Sequence, residues 1–349
     1  MASRSSYMSI PEVTQIEGIR LLKDKLDILT TASQGAFDLS YDTSYLNATG
    51  GDYIDPVVFA RPSGGVQHSD EADPTGTLTA AAISQAKGRR VIQANVGYYT
   101  WQRDEVMRGK MTKAQYKMAV AGFLADDKLV TLRNNGTAAA CAAVTAMDTT
   151  DGSTAGANIH THDVARGSAS GAKVPFSFTY MNTLLGKMGD AQEDIVCFVI
   201  PSVVYQSLIA DGLANYKVEN VAGAMVISGA AMAMGRSLIV ADIPALTTAV
   251  DSSYYTKYSV LGLAKGAITA KIVSEDPVTY DTTTTTNVMS YTARQDFDVE
   301  WGIQGMKWDP SNGAIINPTD TELATGSSWE ENYGSHKEAG LILGIYNAS

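Results

Sequence analysis

At 349 residues with a hydrophobic fraction of 45%, the chain holds enough apolar material for a core spread over about two domains, which excludes disorder of the whole. A net charge of −11 at neutral pH argues against a surface that grips nucleic acid through its phosphates, although an acidic wall can enclose DNA without holding it. No apolar run approaches the roughly 20 residues of a membrane span, and the opening MASRSSYMSIPEV lacks the apolar centre of a signal peptide, so the sequence reads as a soluble protein made in a cytoplasm.

Between Pro11 and Thr30, residues Ile16, Ile19, Leu22, Leu26 and Leu29 recur at intervals of three and four, the mark of an amphipathic helix, and Pro11 suits its first turn. Gln34 to Asp55 is polar, with Tyr41, Tyr45 and Tyr53 among Gly, Asn and Asp. A helix followed by a thin linker cannot bury its stripe locally, so it should lie on another part of the protein or on a neighbouring copy. Val57–Ala60 and Val91–Trp101 read as strands. In the second, Ile92, Ala94, Val96 and Tyr98 fall on one face and Gln93, Asn95 and Gly97 on the other. The polar stretch between them, including PSGGVQHSDEADPTG, is full of turn residues. Two strands with such a tip make an arm that should project.

Thr112 is an N-cap for the next helix, Met118, Ala121, Ala125, Leu129 and Leu132 form its stripe, and Asn134-Asn135-Gly136 reads as its stop. Thr112 to Arg133 gives a helix of about 33 Å, with helical character resuming through Thr137–Val144. Asp148 to Lys173 is rich in Gly, Ser, Thr and Ala and reads as a loop. Phe178–Met188 reads as a helix leading into a compact α/β unit. In that unit Ile195–Ile200 is an apolar run stopped by Pro201, a short helix carries Val204, Leu208 and Leu213 with Gly212 near its end, and Ser237–Ala241 is a second buried strand closed by Asp242-Ile243-Pro244. Tyr254–Tyr258 leads into β-like runs at Val260–Leu263 and Ala267–Val273. Asp281–Thr286 reads as a turn or loop tip, strand-like segments return at Val288–Thr292 and Phe297–Ile303, and Gly340–Tyr346 is an apolar strand that ties the C-terminus into a sheet. There is no internal repeat.

Few residues suggest chemistry. Cys141 and Cys197, in an Ala-rich helical segment and an apolar strand, read as buried thiols. His160-Thr161-His162-Asp163 has alternate imidazoles, but its small, polar surroundings read as a solvated loop without a further ligand. His68 with Asp70, Glu71 and Asp73 reads as a charged loop tip rather than a cation site. Gly229–Ser237 has Arg236 where a phosphate loop needs Lys, and the wrong glycine spacing. Asp126 and Asp127 read as solvated charge on a helix. No catalytic, cofactor-binding or metal residue is assigned, and no cofactor is expected.

Taken in order, the pieces resemble the major capsid proteins of tailed bacteriophages. Trp101-Gln102-Arg103-Asp104 through Gly109, ahead of the long helix, is similar to that family's passage from an extended hairpin into a spine helix. Ile195–Pro201 with Tyr205 and Leu208 resembles its strand and short helix, Gly235–Pro244 its Gly, apolar strand, Asp, Pro element, and Tyr254–Gly266 its Tyr to Gly-Ala turn. Trp308-Asp309-Pro310 and Trp329-Glu330-Glu331-Asn332 with Lys337 resemble its C-terminal segments. The likeness runs from Asp52 to Ser349.

The resemblance implies an α+β fold, the tailed-phage major capsid protein fold. Its parts would be an N-terminal helix and arm (1–52), an extended hairpin, the E-loop (53–100), a peripheral domain with the spine helix (101–177), an α/β axial domain (178–289), peripheral-domain strands (290–334) and a C-terminal return to the axial domain (335–349). It implies a structural protein, not an enzyme, that self-assembles into hexamers and pentamers forming an icosahedral head shell around a double-stranded DNA genome. Its partners would be copies of itself, with scaffolding, portal and decoration proteins as further candidates, and it would enclose DNA without sequence-specific binding and without a membrane. Its place would be the virion capsid, after synthesis and assembly in the bacterial host cytoplasm. The resemblance also implies that the chain lacks a cleaved scaffolding segment or relies on a separate scaffolding protein, and that Arg89 and Arg90 meet acidic residues of an adjacent subunit. Some relatives cross-link a hairpin lysine to the next subunit, but nothing singles out Lys87. An encapsulin-like bacterial compartment shell is the alternative, and a soluble α/β hydrolase or binding protein a remote one, since strand-helix-strand units serve many functions.

Overall fold

The computed structural model describes residues 10–42, 53–54, 57–59, 85–87, 89–102, 113–150, 159–165, 173–210, 217–221, 224–228, 235–248, 255–285, 288–312, 317–332 and 336–347. The expectations for the hairpin tip, Tyr45, the Thr112 cap, Leu213 and Tyr254 lie outside these residues. Helix α1 (Ile10–Ala32) turns through Gln34 and Gly35, at φ of 57° and 79°, into β1 (Phe37–Tyr41). Three short strands follow, β2 (Tyr53–Ile54), β3 (Val57–Phe59) and β4 (Gln85–Lys87), and then the 13-residue β5 (Arg90–Gln102) and the 38-residue helix α2 (Lys113–Thr150). Next come β6 (Thr161–Asp163), α3 (Phe178–Leu185), β7 (Ile195–Ile200), α4 (Ser202–Ala210), β8 (Lys217–Val221), β9 (Ala224–Ser228) and β10 (Ser237–Val240). The remainder is β11 (Thr247–Thr248), β12 (Lys257–Ala264), β13 (Ile268–Glu275), β14 (Thr279–Thr285), the 16-residue β15 (Val288–Ile303), β16 (Met306–Trp308), α5 (Asp320–Leu323), β17 (Trp329–Glu331) and β18 (Leu341–Asn347).

These strands make two large sheets. The first runs β1-β13-β15-β5-β2, with β14 on β15, and the second runs β6-β18-β12-β7-β10-β9-β8, with β11 on β12. The ribbons β3-β4 and β16-β17 stand apart from both. β6 joins the second sheet, while β13 and β14 join the first. Helix α2, about 57 Å long at 1.5 Å per residue, packs on β5, β13 and β15 of the first sheet and on β6 and β18 of the second. On the far face of the second sheet, Met181, Leu184 and Leu185 of α3 and Val204 and Leu208 of α4 meet Phe198, Ile200, Leu238 and Val260 in a separate core. Asp242 caps α4, accepting from the Ser202 backbone N–H at 2.8 Å and the Ser202 hydroxyl at 2.9 Å. This is the local use of the Asp that follows the apolar strand.

The N-terminal helix is not left for a neighbour to cover. Leu22, Leu26 and Leu29 are buried in the same core as Ala125, Leu129 and Leu132 of α2, and Lys25 pairs with Asp126. Phe37–Tyr41, expected within a polar linker, is instead a strand parallel to β13, in register Phe37 to Ile268. Alternation explains it: Phe37 and Leu39 point into the core while Asp38 is exposed. Asp281–Thr285, expected as a turn, forms most of β14 and pairs with β15 from Thr282 opposite Tyr291 to Thr285 opposite Val288, because threonine's branched Cβ suits a pleated surface. The strand-like segments expected at Val288–Thr292 and Phe297–Ile303 are one continuous strand, β15.

Asn134-Asn135-Gly136 does not stop α2. The two amides are spent on side chains and do not compete for the backbone: Asn134 Oδ1 accepts from the Arg133 guanidinium at 3.0 Å, and Asn135 Nδ2 donates to Asp320 at 2.8 Å. Gly136 is there for space, since a Cβ on it would lie 2.8 Å from Ile268 Cγ2. Glycine to alanine in a helix interior ordinarily stabilises by up to about 1 kcal/mol. Gly136→Ala is expected to destabilise instead, by about 1–3 kcal/mol through overpacking, read as a lower midpoint in urea unfolding; a raised midpoint would contradict the close packing.

Candidate functional site

Of the two faces that alternation gives strand β5, the one with Gln93, Asn95 and Gly97 is turned inward. Its inward face carries Val91, Gln93, Asn95 and Gly97, and its outward face Ala94, Val96, Tyr98 and Thr100, with Val96 55% and Tyr98 62% exposed. The polar inward residues are satisfied: Gln93 accepts from Trp301 Nε1 at 2.9 Å and donates to Asp320 at 2.7 Å. A Cβ on Gly97 would lie 2.4 Å from Leu124 Cδ2, so glycine lets α2 seat against the strand. That glycine is the signal the alternation reading missed, because a glycine inside a strand marks close approach of another element.

Beneath α2, Lys128 Nζ donates to Glu275 Oε1 at 2.8 Å and to Gln295 Oε1 at 2.8 Å, with all three side chains buried. The Gln295 amide donates back to Glu275 and to the Asp276 carbonyl, the latter at 3.0 Å. Lys128 Nζ also sits 4.8 Å from the Phe297 ring centroid. Burial pulls the Lys128 ammonium below its usual range, and Glu275 works against that pull. Burial, and then Glu275, pushes the Tyr41 phenol upward. This network joins α2 to β13 and β15 and fixes the height at which the helix rides on the sheet.

On the outward face, Val96 lies opposite Asp296 and Ala94 opposite Asp298. Arg294 holds Asp296 in a two-pronged contact at 2.9 Å on each arm. Burial, with Asp276 and Asp296 nearby, pushes the Asp298 carboxyl above its ordinary range. A groove of about 340 Å³ runs beside the strand, lined among others by Val96, Tyr98, Leu124, Val130, Thr131 and Phe297. Phe123, one residue before Leu124 on α2, is 58% exposed. Exposed apolar side chains thus flank a groove and an acidic row on one face of the strand.

The residues that suggested chemistry are placed in structural roles. His160-Thr161-His162-Asp163 is not a solvated loop. It contributes β6, parallel to β18, with His160 buried and its Nδ1 3.3 Å from the Leu341 carbonyl, and with His162 Nδ1 3.0 Å from the Tyr346 hydroxyl. Burial, then Lys187, lowers the His162 pKa, against Asp163. Asp126 and Asp127 are engaged by Lys25 and by the Tyr99 hydroxyl. Arg90 pairs with Glu300 of its own chain at 3.0 Å. In the Gly229–Ser237 stretch, Gly235 turns at φ 79° and Arg236 donates to the Ile195 and Gln192 carbonyls, each at 2.7 Å; residues 229–234 lie outside the described residues, as do His68, Asp70, Glu71 and Asp73. Both cysteines are free, Cys197 buried and Cys141 half-buried, and burial pushes the Cys141 thiol up to about 12. Among the described residues no group of three or more His, Cys, Asp or Glu side chains could hold a metal ion, and no helix is long and apolar enough to cross a membrane.

A family model described as Gp13-like, major capsid protein 13-like, matches residues 9–342. No curated protein matches the chain. Among solved structures, the capsid of Ralstonia phage GP4 is similar at a TM-score of 0.51 and 10% identity, with 91% of this chain and 88% of that one covered. The cyanophage Pam1 capsid asymmetric unit gives a TM-score of 0.47 at 11% identity, covering 89% of this chain and 88% of that one.

Proposed function

We infer the use of these surfaces from one premise: this chain belongs to the Gp13-like family of major capsid proteins. It forms the shell of a phage capsid, with the α+β fold of tailed-phage capsid proteins, and its place is the virion capsid. Its work is burial between copies rather than bond chemistry. Val96, Tyr98 and Phe123, each a little over half exposed, gain when another surface covers them, by a part of the about 1.5–3 kcal/mol that burying a wholly exposed apolar side chain contributes. Repeated around closed rings, such contacts build hexamers and pentamers, and these tile an icosahedral shell.

The net charge of −11 supports a wall that encloses double-stranded DNA without gripping it. Assembly in the host cytoplasm, with scaffolding, portal and decoration proteins as partners, belongs to the same reading. So does the division into arm (1–52), E-loop (53–100), peripheral (101–177 and 290–334) and axial (178–289 and 335–349) parts. The observation that carries the reading is the family match across residues 9–342.

Purified full-length chain is expected to form closed particles in negative-stain micrographs. Deletion of Pro62–Gly88 should leave the circular dichroism of a folded subunit and abolish the particles. Intact shells from the deletion would remove the hairpin from the assembly contact. DNA rather than protein inside particles from infected cells separates a phage head from a compartment shell.

A further inference from the structure

A very short strand closes the edge of the second sheet. β6 lies parallel to β18, with Thr161 opposite Leu343, His162 opposite Gly344 and Asp163 opposite Ile345. The Leu343 backbone N–H donates to the His160 carbonyl at 3.0 Å, and the Val164 N–H donates to the Ile345 carbonyl at 3.2 Å. Ahead of the strand, the His160 N–H donates to Asp148 Oδ1 of α2 at 2.8 Å. β6 therefore straps the end of α2 to the sheet edge. So short a strand is the kind of unit that opens by itself, well below the free energy of global unfolding. What lies beneath it is secured separately. The Asn347 N–H donates to the Val174 carbonyl at 2.9 Å, and the rings of Phe176 and Tyr180 pack on Tyr346 at centroid distances of 4.8 and 5.6 Å.

Both histidines of this strap engage β18. His160 is buried with its Nδ1 3.3 Å from the Leu341 carbonyl; a carbonyl only accepts, so Nδ1 carries the proton of the neutral ring. A second proton would set a full charge on a buried ring. His162 Nδ1 meets the Tyr346 hydroxyl at 3.0 Å, and its ring lies 5.9 Å from those of Tyr180 and Tyr346. Asp148 of α2 faces His160, while Tyr346 of β18, Tyr180 of α3, Lys187 just beyond α3 and Asp163 face His162. Burial, and then Lys187, disfavours the charged form of His162. Asp163 favours it, but divides its oxygens between the Ala165 N–H at 3.0 Å and Lys257 of β12 at 3.4 Å. The docked strap thus binds a proton less readily than the released one, so docking is strongest at high pH and weakens as pH falls through about 6.5, the ordinary histidine value.

We propose that β6 is an acid-released strap: docked on β18 at neutral pH, it leaves the sheet edge below about pH 6 while the rest of the second sheet stays folded. Release bares the edge of β18 and unties Asp148 from His160. Helix α2 keeps its seat, because Val144 and Met147 share a core with Leu341 and Leu343. The device belongs to the single subunit and stands whether or not the shell-forming reading holds.

The test is hydrogen exchange on the unassembled full-length chain between about pH 7.5 and about pH 5, corrected for the intrinsic pH dependence of exchange. Protection of the Leu343 and Val164 amides should fall by about tenfold over that range, while Val199 and Leu261, paired at the centre of the same sheet, keep theirs. His160→Asn combined with His162→Asn keeps a donor for the Leu341 carbonyl and a partner for the Tyr346 hydroxyl but takes up no proton, so its protection should hold throughout. Lys187→Gln leaves the strap's hydrogen bonds in place and removes a cation that opposes charge on His162, so it should shrink the fall by about twofold or more. Constant protection in the unmodified chain, an equal fall in the double variant, or loss of Leu261 protection together with that of the strap would overturn the inference. Should the double variant be undocked already at neutral pH, Lys187→Gln decides, and an unchanged fall there would overturn it.

Discussion

Leu22→Asp combined with Leu26→Asp is expected to lower the stability of the unassembled chain by about 3–6 kcal/mol, from two leucines at about 1.5–3 kcal/mol each. Both side chains are 1% exposed and share a core with Ala125, Leu129 and Leu132. A carboxylate at either position cannot be buried without a partner, so α1 leaves α2 and the whole contact is lost. The Lys25 to Asp126 pair is half-exposed and adds at most about 1 kcal/mol, too little to hold the helix alone. A fall in the denaturant midpoint of the free subunit, with loss of helical circular dichroism, checks this. An unchanged midpoint with loss of shells would return the leucine stripe to a contact between copies, as a helix followed by a polar linker suggests.

Glu275→Ala strands the Lys128 ammonium in a buried site, and breaking one side of a buried pair costs about 3–5 kcal/mol. The pH dependence has a definite sign. Burial already holds the folded Lys128 pKa below its ordinary value of 10.5, and Glu275 opposes that fall. With Glu275 gone the folded value drops further, so between it and the unfolded value the unfolded chain binds more protons and stability rises with pH. The variant should therefore recover part of its loss between neutrality and about pH 10, and the unmodified chain should gain less over the same range. Glu275→Gln, which keeps an acceptor for Lys128, separates the lost charge from the lost hydrogen bond. A loss that does not change with pH would remove Lys128 from the account.

Much of the fold is written in local pattern. Ile195–Ile200 and Gly340–Tyr346 read as strands because they carry no polar break, and the strands found there are buried in the second sheet. The leucine spacing of α1 likewise marks its buried stripe, although the surface it meets is set by α2, far away in sequence. What local pattern misreads is tertiary. Gly136 looks like a helix stop and is a point of contact with Ile268. Gln93 looks solvent-facing because its partners, Trp301 and Asp320, come from more than 200 positions away. The orientation of β5 is tertiary in the same way: alternation puts Val96 and Tyr98 on one face, and only the approach of Leu124 to Gly97 shows that the other face is the one taken.

Helix α2 bears on both large sheets at once. Tilting one sheet against the other would mean bending an unbroken 38-residue rod, and helices bend sharply only at proline, at bulges or where something enters their bonding ladder. The tile therefore has no flexible waist. Where a shell changes curvature, the rod keeps the two sheets of each tile in one relative attitude, and the difference falls on the contacts between tiles.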